Sequence, residues 1–258
     1  MSTPLPLRSF AYWAYQYKRT WRSSLTSSFL NPILFLAAMG VGLGSLVDKH
    51  GVSALGGVSY LVFLAPGLLA AEAMQTASGE STYPVFGSVK WRGTYKAAAA
   101  SPLRPADILH GHLLFTAMRL AMNAAVFLIV MAAFGAVESP WVVLTIPAAV
   151  LTGLAFATPI EAFAITRQSA NGFAMLFRFG MIPLFLFSGT FFPVSQLPAW
   201  IRPVAYVTPL WHGVDLCRSL ALGNATVTGT LVHVGYLVAV AVGGLFLARR
   251  CYRKRLCV

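Results

Sequence analysis

The chain has 258 residues, of which 57% are hydrophobic and only 10% are charged. Soluble domains carry about 25% charged residues, so this composition excludes an ordinary soluble protein and predicts an integral membrane protein. The formal net charge is +12, but the 19 Lys and Arg residues lie between apolar segments, which argues against a nucleic-acid-binding surface.

The first predicted element is an amphipathic helix over residues 8–25. At 100° per residue its aromatic side chains, with Leu25, fall on one side and its cations on the other, a pattern typical of a helix in the membrane interface. We therefore expect an interface helix whose aromatic face meets lipid; a plain basic tail is the alternative. The residues assigned to this helix are Trp13, Tyr17, Lys18, Arg19, Trp21 and Arg22.

Six apolar segments follow, and each is long enough to cross a bilayer as a helix. The predicted fold class is an all-α integral membrane protein, with one domain over residues 1–258 and its six spans between 29 and 248. The predicted spans are residues 29–47, 58–79, 108–134, 141–160, 173–192 and 227–248.

The cations predict the orientation of these spans. Most of them lie before the first span, in the 85–106 loop, between spans four and five, and in the 249–258 tail. The opposite loops carry only Lys49, Arg202 and Arg218. Because cytoplasmic loops are enriched in Lys and Arg, both termini are predicted to be cytoplasmic.

The 85–106 loop is the longest predicted cytoplasmic connection. Residues 90–100 are predicted to form a short basic helix, ended by two Xaa-Pro steps. Trp91 and Tyr95 are four residues apart and are predicted to share a face of that helix. The pattern favours docking to a cytoplasmic partner and, equally, anchoring among lipid headgroups.

Residues 193–226 are too polar to cross a bilayer and too apolar for an ordinary solvated loop. Within them, residues 197–204 are predicted to form a short helix that Pro203 breaks. Irregular backbone at membrane depth is tolerated only where protein or water shields it. We therefore predict an extracellular re-entrant helix pair before the last span.

The second helix of that pair has clear local signals. Thr208 is a good N-cap residue and Pro209 suits the first helical position. Gly223 suits the residue after the helix, where a left-handed conformation is common. Asp215 and Arg218 are three residues apart and are predicted to pair.

The chain has no Walker A, HExxH, GxSxG or CxxC motif, so we predict that it is not an enzyme and that any ATP hydrolysis belongs to a separate subunit. The cysteines indicate no disulfide framework. His110 and His112 point to different sides of a helix, so a metal site there is not expected.

Ionisable residues inside a membrane are costly and often functional. Glu72 and Arg119 are therefore candidates for a translocation path or gate; the alternative is that they satisfy each other or backbone groups. Asp107, Glu161 and Arg178 are expected at the cytoplasmic interface.

Four stretches carry a resemblance over most of the chain: GGVSYLVFLAPGLLA at 56–70, LTGLAFA at 151–157, LFLFSGTFFPVSQLP at 184–198 and PLWHGVDLCRSLALG at 209–223. They resemble NodJ-like permeases of type-2 ABC exporters and the actinobacterial drug-export permeases. The last two stretches are the most specific. This sequence departs from the NodJ-like pattern after LTGLAFA, where it has Thr158-Pro159-Ile160-Glu161.

The resemblance implies a bacterial inner-membrane permease that pairs with a second copy or a paralogue. Each permease would bind one cytoplasmic ATPase of the NodI or daunorubicin-resistance type, which would hold ATP and Mg. An amphipathic drug, lipid or lipo-oligosaccharide would leave past the outer helices, where Phe191, Phe192 and Leu197 are the expected apolar gate. The residues expected to couple the permease to the ATPase are Lys90, Trp91, Arg92, Tyr95, Lys96 and Arg104.

Two other function classes remain open. An ion-gradient-driven secondary transporter would favour inverted repeats and mid-span carboxylates; the interface helix and the re-entrant pair each occur once, which argues against such repeats. A membrane-embedded enzyme would need a nucleophile and a base, and no such pair is evident.

Overall fold

The computed structural model describes the backbone of residues 4–49 and 57–257, with their side chains except those of residues 23–28, 48 and 49. Every regular element within these residues is helical and no strand occurs there. The predicted all-α class is therefore confirmed. The predictions that placed Leu25 on the aromatic side of the first helix and Lys49 in an outer loop involve side chains that are not among those described.

The N-terminal helix is longer than predicted. α1 runs from Leu5–Phe35, continues as a π-helix at Leu36–Leu43 and ends as α2 at Gly44–Lys49. Pro32 lies inside α1; a proline removes one amide hydrogen bond, yet the helical path continues through it. The first apolar segment, Phe29–Val47, therefore follows the predicted interface helix without a break.

Five helical segments of the described chain are long and apolar enough to cross a membrane. The predicted fifth span corresponds instead to a shorter helix, Asn171–Phe187, which is roughly 25 Å long at 1.5 Å per residue. A bilayer core is about 30 Å thick, so the count of six spans stays a prediction. The five long segments are Phe29–Val47, Tyr60–Lys90, Pro105–Ala133, Pro140–Thr166 and Val227–Leu256.

The long helices pack against one another, with those containing α3 and α7 the most buried. α12 packs along α7, α1 along α6, and α3 against α7. Bounds are α3 Tyr60–Ser81, α4 Tyr83–Lys90, α5 Thr94–Ala99, α6 Pro105–Ala133, α7 Thr145–Thr166 after a 3-10 turn at Pro140–Leu144, α8 Asn171–Met175 and α9 Ile182–Phe187 around a π-helix at Leu176–Met181, α10 Arg202–Val207, α11 Pro209–Leu222 and α12 Val227–Leu256.

The segment before α12 matches its local signals closely. The Thr208 side chain accepts from the Trp211 backbone N–H, Pro209 begins α11, and Gly223 ends it with φ 73°. The predicted short helix over residues 197–204, broken at Pro203, is wrong: α10 begins only at Arg202, and Pro203 stands in its first turn. At that position no amide hydrogen bond is lost, so proline starts a helix readily.

α11 lies deep among the other helices. Its predicted stripe of Leu210, Val214, Cys217 and Ala221 is buried, with at most 2% exposure, and the helix packs against α3, α7 and α12. A Cβ on Gly213 would lie 2.4 Å from the Thr152 side chain, so close approach to α7 requires glycine. Such burial suits a re-entrant helix, whose depth in a membrane stays a prediction.

Candidate functional site

A buried polar triad joins three long helices at the end of the bundle that carries α5. Glu161 of α7 accepts from Tyr252 of α12 through Oε2 at 2.9 Å, and its Oε1 lies 2.8 Å from Nδ1 of His112 on α6. All three side chains are fully buried. A buried carboxylate is tolerated only where partners satisfy it, and here each oxygen has one. Glu161 therefore lies buried within the protein, whereas it was expected at the cytoplasmic interface.

Two aromatic side chains cover this triad from outside the three helices. Trp13 of α1 lies with its ring centroid 4.5 Å from that of His112, and Tyr95 of α5 lies 5.9 Å from the ring of Tyr252. The two covering rings are 6.4 Å apart. We call these five residues the inner junction, because they connect α1, α5, α6, α7 and α12.

The inner junction corrects two predictions. Trp13 was expected to face lipid, but it is only 4% exposed and packs against protein. Trp91 and Tyr95 do not share a face: Trp91 is 66% exposed and Tyr95 is 3% exposed. The reason is local, since the chain leaves its helix before Gly93, whose φ of 66° sets α5 in a new direction.

The other predicted coupling residues lie at the surface, near α5. Lys90 donates to Gln168 at 2.5 Å, and Arg92 donates to Ser88 at 3.1 Å. The ring of Trp91 rests edge-on against Phe86. Direct docking of Tyr95 on a partner does not fit this structure, because the side chain is buried. The exposed members of the predicted set are Lys90, Trp91, Arg92, Lys96 and Arg104.

The predicted interface helix shows a graded exposure. Tyr17 is half-buried and packs edge-on against Phe115 of α6 at 6.2 Å. The remaining predicted residues, Lys18, Arg19, Trp21 and Arg22, are exposed. The aromatic side of α1 therefore packs against α6 at Tyr17, whereas it is exposed at Trp21.

Glu72 and Arg119 do not meet, so the alternative in which they satisfy each other is wrong. Arg119 pairs with Glu80 at 3.5 Å, and its guanidinium lies 4.6 Å from the ring of Tyr17. Glu72 accepts from Thr76 on its own helix at 3.4 Å. Glu80 stands two turns beyond Glu72, roughly 12 Å along α3, and just past the predicted end of the span.

The predicted gate residues belong to two separate apolar clusters. Phe192 and Leu197 pack with Val194 and Ala205 in a small core of their own. Phe191 instead contacts Phe185 of α9, with ring centroids 5.0 Å apart. The structure thus brings two of the three predicted residues together.

At the α11 end of the bundle, Arg218 holds the backbone of two other segments. It donates to the carbonyl of Phe63 at 3.0 Å and to those of Gly189 and Thr190 at 2.9 and 3.3 Å. Gly67 makes room for it, because a Cβ there would lie 2.8 Å from the guanidinium. Burial lowers the pKa of Arg218 to about 10, so it stays charged at neutral pH.

The predicted Asp215–Arg218 pair is replaced by a chain of three groups between α11 and α12. Asp215 Oδ2 lies 3.0 Å from His233 Nε2, and His233 Nδ1 lies 2.9 Å from His212 Nδ1. The hydrogen bond from His233 holds the pKa of Asp215 below its ordinary value. Burial, with the His233 charge, lowers the pKa of His212 to about 4.

This chain of groups borders a cavity of about 270 Å³ at the α11 end, lined by Asp215, Arg218 and His233. We call His212, Asp215, Arg218 and His233 the outer cluster. Sequence reasoning treated both histidines as ordinary polar groups and gave His112 and Glu161 no common role. No local spacing could have paired them, because each partner stands on a different helix.

The comparisons with known proteins cover nearly all of these features. Residues 9–222 match the family model described as ABC-2 type transporter. The chain is 34% identical to Nodulation protein J of Rhizobium leguminosarum bv. trifolii, over 98% of this chain and 97% of that protein. It is 31% identical to Nodulation protein J of Bradyrhizobium diazoefficiens, over 94% and 95%.

A shorter similarity links the chain to the probable multidrug ABC transporter permease YbhS of Escherichia coli. The two sequences are 32% identical over 78 residues, which are 30% of this chain and 21% of that protein. The family match covers both the inner junction's α1, α5, α6 and α7 and the whole of α11. The chain is therefore a transmembrane subunit of the ABC-2 type transporter family.

Proposed function

We propose that this permease exports an amphipathic substrate, a drug, lipid or lipo-oligosaccharide, using ATP hydrolysed by a separate ATPase subunit. The ATPase binds the exposed surface formed by Lys90, Trp91, Arg92 and Lys96, with Arg104 beside it. ATP and Mg belong to that partner, and a second permease copy or paralogue completes the transporter. The site lies on the cytoplasmic side of a bacterial inner membrane, with both termini there.

The inner junction is the observation that carries this proposal. Tyr95 fixes α5 to the bundle, because its buried ring contacts both Trp13 and Tyr252. Close-packed interiors transmit displacement instead of absorbing it. A push on α5 therefore moves α12 through Tyr252 and α7 through Glu161, which is the coupling an ATP-driven permease requires.

The test is co-purification with the ATPase encoded nearby, followed by ATP hydrolysis in nanodiscs with amphipathic candidates. Trp91→Ala should lower recovery of the complex several-fold, because exposed aromatic residues anchor interfaces. Trp141→Ala is the matched control, since Trp141 is similarly exposed at 62% and stands before α7. A chain that purifies alone under mild detergent would contradict the proposal.

The gate is tested by transport. Phe192→Ser or Leu197→Ser should disturb the small apolar cluster and cause leak or loss of export. Phe191→Ser tests whether the neighbouring contact with Phe185 contributes. Unchanged export in all three variants would remove the gate from the proposal.

One observation favours a second candidate, an ion-gradient-driven transporter: the buried His112–Glu161 pair is of the kind that forms proton relays. Both oxygens of Glu161 have partners within the protein and Trp13 covers the pair, which favours a structural role. Within the described residues, His112 Nε2 is buried without a hydrogen-bond partner. Transport that persists without ATP and stops when the proton gradient collapses would establish this second function and exclude the first.

A further inference from the structure

A basic groove of about 720 Å³ lies between the start of α6 and the last turns of α12. Four arginines line it, and no Asp or Glu does. In the part of the chain that the structure describes, none of these arginines has a carboxylate within ion-pair distance. The lining includes Arg104, His110, Phe246, Arg249, Arg250 and Arg253.

One arginine of the groove is held in place by a neutral partner. Arg249 donates to His110 Nε2 from Nη2 at 2.7 Å and from Nε at 3.2 Å. A nitrogen that accepts carries no proton, so His110 orients the guanidinium without cancelling its charge. The remaining N–H groups of Arg249 keep the planar fork that suits phosphate oxygens.

The residues of α12 at the groove change from apolar to cationic along one stripe. Phe246 is 60% exposed and precedes Arg249, Arg250 and Arg253 by one and two turns. Exposed Val242 and Leu247 extend the apolar part, within a helix apolar enough to span a membrane. A soluble acidic partner cannot use that apolar stripe, whereas a lipid uses both parts.

We propose that this groove binds an anionic phospholipid, with its phosphate on Arg249, Arg250 and Arg253 and an acyl chain against Phe246. Basic pockets between membrane helices on the cytoplasmic side are suited to such headgroups. Binding here fixes the start of α6 to the end of α12, next to the inner junction. The site does not depend on any ATPase.

The experiment is native mass spectrometry of the purified full chain with phosphatidylglycerol, cardiolipin and phosphatidylcholine. Arg250→Gln/Arg253→Gln is the main variant, because within the described residues neither side chain makes a hydrogen bond that folding needs. Each arginine near an anionic surface contributes about fivefold, so the pair should weaken anionic lipid binding roughly 25-fold. Arg249→Gln, which also removes the hydrogen bonds from Arg249 to His110, is the second variant.

Lys96→Gln/Arg167→Gln is the matched control, with the same loss of charge at the same end of the bundle. Anionic lipids that bind tightly to the wild type and the control, but weakly to both groove variants, would support the proposal. Equal binding of phosphatidylcholine would overturn it. An equal loss in the control would also overturn it, since the effect would then come from surface charge in general.

Discussion

The inner junction and the outer cluster are polar networks at opposite ends of α12, and they differ in their access to solvent. Tyr252 and His233 are roughly 28 Å apart along that helix at 1.5 Å per residue. Glu161 is fully buried with both oxygens used, whereas the Asp215 side chain is 46% exposed and borders a cavity. The inner network is suited to holding helices in fixed positions, and the outer one to contact with water or solute.

The largest expected effect is at the sealed network. Glu161→Leu leaves His112 and Tyr252 buried without their partner, and should lower the free energy of unfolding by about 3 kcal/mol. Glu161→Gln keeps one acceptor and one donor and should lose about half as much. Thermal unfolding in detergent measures both, and a Leu variant as stable as the wild type would show that the triad is not structural.

Arg218→Met tests the outer cluster with a side chain of similar length. It leaves three backbone carbonyls without their donor, so we expect a loss of about 2 kcal/mol. Arg167→Met is the control, because Arg167 is exposed and lies over the ring of Phe163. Equal melting temperatures for the two variants would argue that water replaces the guanidinium.

Two adjacent glycines on α12 test whether this helix packs closely against α7 between the inner junction and the outer cluster. A Cβ on Gly244 would lie 2.4 Å from Thr158 Oγ1 and 2.8 Å from the backbone nitrogen of Pro159, whereas one on Gly243 meets nothing within 4 Å. Gly244→Ala should cost about 1–2 kcal/mol through overpacking, while Gly243→Ala should be neutral or slightly stabilising. Equal melting temperatures for these variants would disprove tight contact.

The smallest expected effect is a pH dependence at the outer cluster. His212 binds its proton less readily when folded than unfolded, because burial and His233 lower its pKa to about 4. The stability that this group contributes is present above pH 6.5 and is lost as the pH falls through about 4. Asp215, with its lowered pKa, adds a loss only below about pH 4.

The measurement compares melting temperatures of the wild type and His212→Gln across this pH range. At pH 7.5 the melting temperature of the wild type should be higher than that of the variant, and this difference should shrink as the pH approaches 4.5. A constant difference would mean that His212 does not titrate between these values.

Local signals predicted the fold better than they predicted the partners. Thr208, Pro209 and Gly223 act within a few residues of their own backbone, so their positions followed from the sequence. The same holds for the buried stripe of α11, which follows from the helical period. The length of α1 was missed, because residues 8–25 and 29–47 were predicted as two separate elements, whereas the backbone continues between them as one helix.

Contacts between helices were predicted poorly for a physical reason. The pair Glu72–Arg119 was considered for opposite charge, but such pairing depends on the level and rotation of neighbouring helices. The pair Asp215–Arg218 was predicted from spacing within α11, whereas Asp215 is held by His233 of α12. Two turns along α3 place Glu80, and not Glu72, beside Arg119. For Trp91 and Tyr95, one left-handed glycine between them separated two side chains that a continuous helix would have aligned.

The three cysteines differ sharply in reactivity as a consequence of where they lie. Cys217 is fully buried, and burial raises the pKa of its thiol to about 12, so it resists alkylation while the protein is folded. Cys257 is exposed and Cys251 is partly so, near the C-terminus. The native chain can therefore test the proposed cytoplasmic position of the C-terminus: with that orientation, a membrane-impermeant maleimide should leave intact cells unlabelled and should label the tail only after the membrane is opened.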